Sequence, residues 1–74
     1  MLEKRSFTLA GHRTSVALEA EFWAALAAAA SRDGVTLAAL VAGIDAARPP
    51  GRSLASALRV HALRVHALAV KGES

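Results

Sequence analysis

A short alternating segment that leads directly into a helix constrains this sequence more than any other feature. Over 12–18 the side chains alternate between two sides of a predicted strand, with Val16 and Leu18 on the apolar side and Arg13, Ser15 and Ala17 on the other. No later segment predicts a second strand. Because an isolated strand leaves its backbone donors and acceptors unpaired, the sequence predicts that the same strand of a second copy pairs with it.

The first ten residues alternate in a different phase from this strand. Phe7 and Leu9 are apolar at odd positions, whereas Val16 and Leu18 are apolar at even positions, so the phase changes near Gly11. Three arrangements fit: a bulge at Gly11, a turn at 10–13 that folds 6–9 back onto the strand, or a mobile N-terminal arm. Residues 1–11 are thus expected to be an N-terminal arm or an extra strand, and we favour a bulge or an unpaired arm.

The composition indicates one small domain that needs a partner. The chain has 74 residues, 54% of them hydrophobic, and no cysteine, so neither a disulfide nor a thiolate zinc site can reinforce a thin core. Large apolar side chains in so short a chain favour oligomerisation, and a dimer is the simplest case. Without an apolar N-terminal run or a stretch long enough to cross a bilayer, the sequence predicts a cytoplasmic protein that does not enter membranes.

The charge is uneven along the chain. Segment 1–18 carries +2 (three basic residues, one acidic), 19–47 carries −3 (one basic, four acidic) and 48–74 carries +4 (five basic, one acidic). Basic ends around an acidic helical middle are compatible with a polyanionic ligand, although a mild excess is also common on ordinary surfaces.

Three helices are predicted after the strand. The first runs over 20–32 and ends at Gly34, and the second runs over 37–47 with Thr36 as its N-cap. Their apolar sides, which predict core packing, carry Phe22, Trp23, Leu26, Leu37, Leu40, Val41 and Ile44. Gly43 lies inside the second helix, and close approach of another helix would explain it.

A Pro-Pro-Gly connector at 49–52 precedes a third helix over about 54–70, within a C-terminal segment 53–71. One apolar side of this helix carries Leu54, Leu58, Val65 and Leu68, and a second carries Val60, Leu63 and Val70. A helix with two apolar sides packs against two neighbours, so this one is expected to cover its own core and to contact a protein partner.

The order of strand, helix, glycine turn and capped helix resembles the ribbon-helix-helix family, and more narrowly a small bacterial subfamily of it. The resemblance rests on Ala10–Ser15, Phe22–Leu26, Ile44-Asp45 and Leu54–Val60. It implies a mainly α fold with one short strand, in which two chains form an antiparallel ribbon above four interlocked helices. The implied core spans 12–48, and the implied dimer core contains Val16, Leu18, Phe22, Trp23, Leu26, Leu37, Leu40, Val41 and Ile44.

The resemblance also implies a DNA-binding surface. Arg13, Ser15 and Ala17 would occupy the outward strand positions that read base edges in the major groove, although Ala17 can at most contact a thymine methyl. Thr36, Leu37 and Ala38 would lie against a phosphate at the second helix N-terminus. With Lys4 and Arg5 of the basic arm as further phosphate contacts, the expected function is a homodimeric transcriptional regulator that binds double-stranded DNA, as an autorepressor or an antitoxin.

A protein-interaction module on the same frame is the alternative function, and the N-terminal residues discriminate the two. If 6–9 fold back as a hairpin, a dimer would have a four-stranded sheet about 14 Å wide between its outer strand axes. Such a sheet is too broad to lie flat in a major groove about 12 Å wide. A paired N-terminal strand therefore favours the module, and an unpaired arm favours DNA.

Metal and enzyme chemistry find little support in the sequence. His61 and His66 are five residues apart and point in different directions on a helix, whereas zinc-binding helices use a four-residue step. His12 stands alone near the predicted turn. Serine and threonine are the candidate nucleophiles, and neither has an identifiable base. We therefore expect no enzyme activity, no metal and no cofactor.

Overall fold

The computed structural model describes the backbone of residues 1–73 and the side chains of residues 1–67. Two strands and three helices follow one another: β1 (Leu2–Leu9), β2 (His12–Glu19), α1 (Ala20–Asp33), α2 (Leu37–Ala47) and α3 (Leu54–Glu73). The strands form an antiparallel hairpin, and the helices cover its apolar face.

The N-terminal residues form a strand of the sheet, so the expected unpaired arm is wrong, and so is the expectation of a single short strand. β1 pairs with β2 along its whole length, from Leu2 opposite Glu19 to Leu9 opposite His12. The connecting turn consists of Ala10 and Gly11, with φ values of 51° and 81°. Positive φ at both central residues is the requirement of a type I′ turn, which is common in two-residue hairpins because its twist matches that of the strands.

The two-residue turn explains why the alternation of apolar residues changes from odd to even positions near Gly11. Across the hairpin an odd-numbered residue faces an even-numbered one, as Phe7 faces Thr14. Apolar residues at odd positions of β1 and even positions of β2 therefore share one face of the sheet. Phe7, Leu9, Val16 and Leu18 are all buried there.

Trp23 connects the hairpin to α1. Its side chain is 1% exposed, and its indole Nε1 donates a hydrogen bond to the backbone carbonyl of Glu3 at 2.8 Å. Its ring centroid lies 5.8 Å from that of Phe7, and the guanidinium of Arg5 lies 5.0 Å from its ring centroid. The residue therefore anchors β1 to the helices by both packing and a hydrogen bond.

The helix ends match the sequence signals closely. Gly34 ends α1 in the left-handed conformation (φ 70°), and its backbone N–H donates to Ser31 while that of Val35 donates to Ala30. Thr36 caps α2, its hydroxyl accepting from the Ala39 amide at 3.0 Å. At the start of α3, Ser53 accepts from the Ser56 amide at 3.1 Å.

The core of the single chain contains part of the set expected for a dimer core. Val16, Leu18, Trp23, Leu26 and Val41 are buried, and α3 adds Leu54, Ala57, Leu58 and Ala62. Four expected members are only partly buried, namely Phe22, Leu37, Leu40 and Ile44. These four lie at the margin of the core.

Helix α3 extends beyond the part of the core that it covers. Leu54 and Leu58 are buried, Val60 and Val65 are half-buried, and Leu63 is 65% exposed. The side chains of Leu68 and Val70, which were expected on its two apolar sides, lie outside the described residues. Within the described residues, no single helix has the length and apolar composition to cross a membrane; α1 and α2 meet both criteria only when taken together, and they are bent by 100°.

Candidate interaction surfaces

The outward face of the hairpin brings together the expected base-reading residues and three residues of β1. We call this surface the outer sheet face; cross-strand neighbours on it are Lys4 and Ala17, Ser6 and Ser15, and Thr8 and Arg13. All except the half-buried Ala17 are exposed. Because side chains directly opposite each other on one face of a sheet touch, β1 shares the surface that the sequence attributes to β2 alone.

Two of the expected readers are hydrogen-bonded within the hairpin. Ser15 and Ser6 have their hydroxyl oxygens 2.9 Å apart, and Arg13 donates from Nη1 to the hydroxyl of Thr8 at 3.2 Å. A guanidinium has five N–H donors, so Arg13 keeps several for another acceptor. Ala17 offers none.

The two expected N-terminal phosphate contacts lie in different places. Lys4 is on the outer sheet face, opposite Ala17. Arg5 occupies the alternate position, where its guanidinium lies over Trp23 and 3.7 Å from a carboxylate oxygen of Glu3. Arg5 therefore contributes to holding β1 on the core.

The α2 N-terminus has the conformation of an ordinary capped helix. The Thr36 side chain satisfies the amide of Ala39. The amides of Leu37 and Ala38, the first two of the helix, have no intrahelical acceptor available, as at any helix start. Thr36 and Ala38 are exposed and Leu37 is half-buried.

A broad apolar surface lies along α2. A shallow cavity of about 410 Å³ is lined by Val35, Ala39, Leu40, Gly43, Ile44, Ala47 and His61. We call this lining the α2 face. A Cβ built on Gly43 would meet nothing within 4 Å, so none of the described residues requires a glycine there. Val35, which borders this surface, is 45% exposed, so one chain leaves much of this apolar side chain in contact with water.

A second cavity continues the α2 face toward the connector. It measures about 160 Å³, shares Ile44, Ala47 and His61 with the first cavity, and is also lined by Arg48, Pro49, Arg52, Ala57, Val60 and Arg64. We call it the arginine cavity. The sequence did not predict it, because its three arginines are spread over 17 positions and meet only when α3 packs beside the end of α2.

Another contact that the sequence did not predict joins α3 to the end of β2. Arg59 donates from Nε and Nη2 to the two carboxylate oxygens of Glu19, at 3.0 and 3.2 Å, and its guanidinium lies 5.8 Å from the centroid of the Phe22 ring. A backbone hydrogen bond and then this arginine lower the pKa of Glu19 below its ordinary value of 4.5. This ion pair fixes α3 against the hairpin.

The histidines are dispersed. His12 is exposed beside the hairpin turn, and His61 lines both the α2 face and the arginine cavity. His66 is an exposed residue of α3 that lines a hollow beside α1. Within the described residues, no three histidine or carboxylate side chains are close enough to hold a metal ion together.

Comparisons with known proteins agree with this architecture. The family model described as "Ribbon-helix-helix domain" matches residues 2–66. The solved structure of an uncharacterized protein from Bordetella pertussis Tohama I is similar over 100% of this chain, at a TM-score of 0.81 and 31% sequence identity. This chain spans 62% of the length of that protein. No curated protein matches the sequence.

The matched residues include β1 as well as β2 and the helices. Ribbon-helix-helix proteins are typically dimeric, DNA-binding regulators and are generally not enzymes. With 65 of its 74 residues matched, counting 2 to 66 inclusive, this chain belongs to the ribbon-helix-helix family.

Proposed function

We propose that this chain is a homodimeric protein-interaction module built on the ribbon-helix-helix frame. The observation that carries the proposal is the complete pairing of β1 with β2. Because of this pairing, each chain would bring a two-stranded hairpin to the ribbon where a single strand was expected. A paired N-terminal strand is the feature that favours a protein-interaction module over a DNA-binding regulator.

The width of the sheet argues against insertion into DNA. In a dimer that pairs through the free edge of β2, each β1 lies outside its own β2, which gives four strands. At about 4.8 Å between neighbours, the outer strand axes are separated by about 14 Å before side chains are added. The major groove is about 12 Å wide, so the sheet cannot lie flat in it.

The α2 face supports the dimer. Leu40 and Ile44, expected in a dimer core, are only partly buried by their own chain, and Val35 is largely exposed. Burial of apolar surface is the main driving force for association, at about 25 cal/mol per Å² removed from water. A second copy that covers this face would bury the apolar groups that one chain leaves open.

A DNA-binding regulator, as an autorepressor or an antitoxin, is the second candidate function. The outer sheet face favours it, because Lys4 and Arg13 are exposed there and the carboxylate at its end, Glu19, is engaged by Arg59. In this candidate the sheet would lie across the groove, with Arg13 reaching base edges and Lys4 and Thr36 at phosphates.

Binding to DNA across a salt series separates the two candidates. Fragments should include the region upstream of the protein's own gene and random DNA, and the variants should be Arg13→Ala and, as a matched control away from the sheet, Arg32→Ala. The module predicts no sequence-specific retention by wild type at physiological salt. A regulator predicts specific retention that Arg13→Ala weakens by about 1–3 kcal/mol on the specific site alone.

If wild type and Arg32→Ala retain specific DNA fragments and Arg13→Ala does not, the result would contradict the protein-interaction module and support the DNA-binding regulator. Sedimentation tests the dimer independently of DNA. A folded monomer at micromolar concentration would contradict both candidates, since each requires two copies.

A further inference from the structure

We propose that the arginine cavity receives the α1–α2 turn of a second copy, with the partner's Asp33 as the charged group that it binds. This inference rests on the dimer proposed above and specifies a contact within it. Three features of the described residues support it: a charge imbalance in the cavity, an acidic residue that forms no salt bridge, and the position of both relative to the α2 face.

The cavity holds more positive charge than the side chains of residues 1–67 neutralise. Arg48 donates from Nε to Asp45 at 2.8 Å and from Nη1 to the backbone carbonyl of Arg52 at 2.7 Å. Arg52 and Arg64 form no salt bridge with any of the side chains described in residues 1–67. Two guanidiniums at the rim of a partly apolar hollow therefore remain available to an external carboxylate, which arginine binds well.

Asp33 is an acidic group at the start of the α1–α2 turn, where it lines a separate hollow with Ala29, Arg32 and Val65. It is exposed at the last position of α1, and within the described side chains it forms no salt bridge. The carboxyl end of a helix also carries partial negative charge from its backbone dipoles. Two residues further on, the side chain of Val35 borders the α2 face.

Within the described side chains, Asp33 forms no salt bridge with Arg52 or Arg64 of its own chain. From Thr36 to Arg48 the axis of α2 advances about 18 Å, at 1.5 Å per residue. A two-fold axis near Ala39 and Gly43 would set two α2 helices antiparallel, so that the start of one would lie beside the end of the other. The glycine, whose missing side chain faces open space, allows the helices to approach closely at the crossing.

In this arrangement the partner's turn covers the hollow at the end of α2. The exposed Val35 of one copy would contact the apolar part of the cavity near Ala47, and Asp33 would reach Arg52 and Arg64 at its rim. Because the interface is symmetric, each contact occurs twice. The acidic middle and the basic end of the sequence, which carry −3 and +4, would thus neutralise each other between chains.

Charge reversal tests the contact through the dimer dissociation constant. The variants are Asp33→Lys, the pair Arg52→Glu with Arg64→Glu, and all three substitutions combined. Glu21→Lys is the matched control, since it makes the same charge change in an exposed residue of α1 at the opposite end of the helix. The Kd of labelled protein is measured by sedimentation at about 50 and 500 mM salt, with circular dichroism to confirm folding.

We expect Asp33→Lys to weaken the dimer about tenfold at low salt, because a surface ion pair is lost at two symmetric places. The effect should shrink at high salt, where exposed charges are screened. The combined variant should recover most of the wild-type affinity, whereas Glu21→Lys should change it little.

Equal Kd values for Asp33→Lys and Glu21→Lys, or a combined variant weaker than either single charge reversal, would overturn the contact while leaving the dimer intact. A wild-type chain that remains monomeric would overturn the contact and the dimer together. The two failures are therefore distinguishable.

Discussion

Ala10, in the hairpin turn, has a backbone conformation that residues with a side chain rarely adopt. Its φ of 51° lies in the left-handed region, which a side chain with a Cβ adopts at a cost of roughly 1–2 kcal/mol. Gly11 beside it has φ 81°, where a glycine has no such cost. This conformation helps to explain why the hairpin was not the favoured arrangement, because Ala-Gly is a weaker turn signal than Asn-Gly.

Replacing Ala10 with asparagine should therefore stabilise the protein. Asn-Gly is a preferred pair for a turn with positive φ at both central residues, and we expect about 0.5–1 kcal/mol in the free energy of unfolding. The urea midpoint of unfolding measures it. Ala10→Val is the control and should destabilise, since a β-branched residue is a poor fit at positive φ. Equal midpoints for the two variants would show that the turn is not formed as described.

At the scale of the elements, the sequence predicted what local signals determine. β2, α2 and the start of α1 were placed correctly, because alternation, the Thr36 cap and the Gly34 stop are each encoded within a few residues. β1 was not, because its pairing depends on a turn whose sequence is ambiguous. The arginine cavity and the bond from Arg59 to Glu19, 40 positions apart, depend on tertiary packing and had no local signal.

The contact between α3 and β2 makes stability depend on pH. The folded pKa of Glu19 is lowered below 4.5, first by a backbone hydrogen bond and then by Arg59, so the unfolded chain takes up the proton first as pH falls. The stabilisation is complete above the unfolded pKa and is lost as pH falls through the folded pKa.

Chemical unfolding of wild type and Glu19→Gln between pH 3 and 7 measures this dependence, those limits being chosen to cover roughly the ordinary carboxyl range. The difference in unfolding free energy between the two proteins should be constant near neutral pH and should decrease below about pH 4.5. A difference that stays constant to pH 3 would mean that the ion pair contributes no stability.

At the scale of the whole molecule, the unexplained glycine of α2 separates folding from association. A Cβ at Gly43 meets nothing within 4 Å among the described residues, so Gly43→Ala should stabilise the isolated fold by up to about 1 kcal/mol through helix propensity. In the proposed dimer the same position lies at a close helix crossing. Folding and association should therefore respond in opposite directions.

Gly43→Leu should make the contrast large enough to measure. We expect its helical content to remain and its dimer to dissociate, with a loss of affinity of at least about tenfold (1.4 kcal/mol), because a bulky side chain separates the helices. Ala42→Leu, at the exposed position next to it, is the matched control and should keep the dimer. Circular dichroism measures the helical content, and sedimentation measures the dimer affinity of both variants. An unchanged dimer in Gly43→Leu would place the interface elsewhere.

The anchoring of β1 by Trp23 gives the molecule its own optical reporter. This residue is the single tryptophan of the chain, and its indole is enclosed by the first strand through Phe7, Arg5 and the Glu3 carbonyl. Release of the first strand would expose the ring to water and shift its emission to longer wavelength, while the circular dichroism of the helices would stay the same. Comparing the two signals during unfolding would therefore show whether the hairpin detaches before the helices or melts together with them.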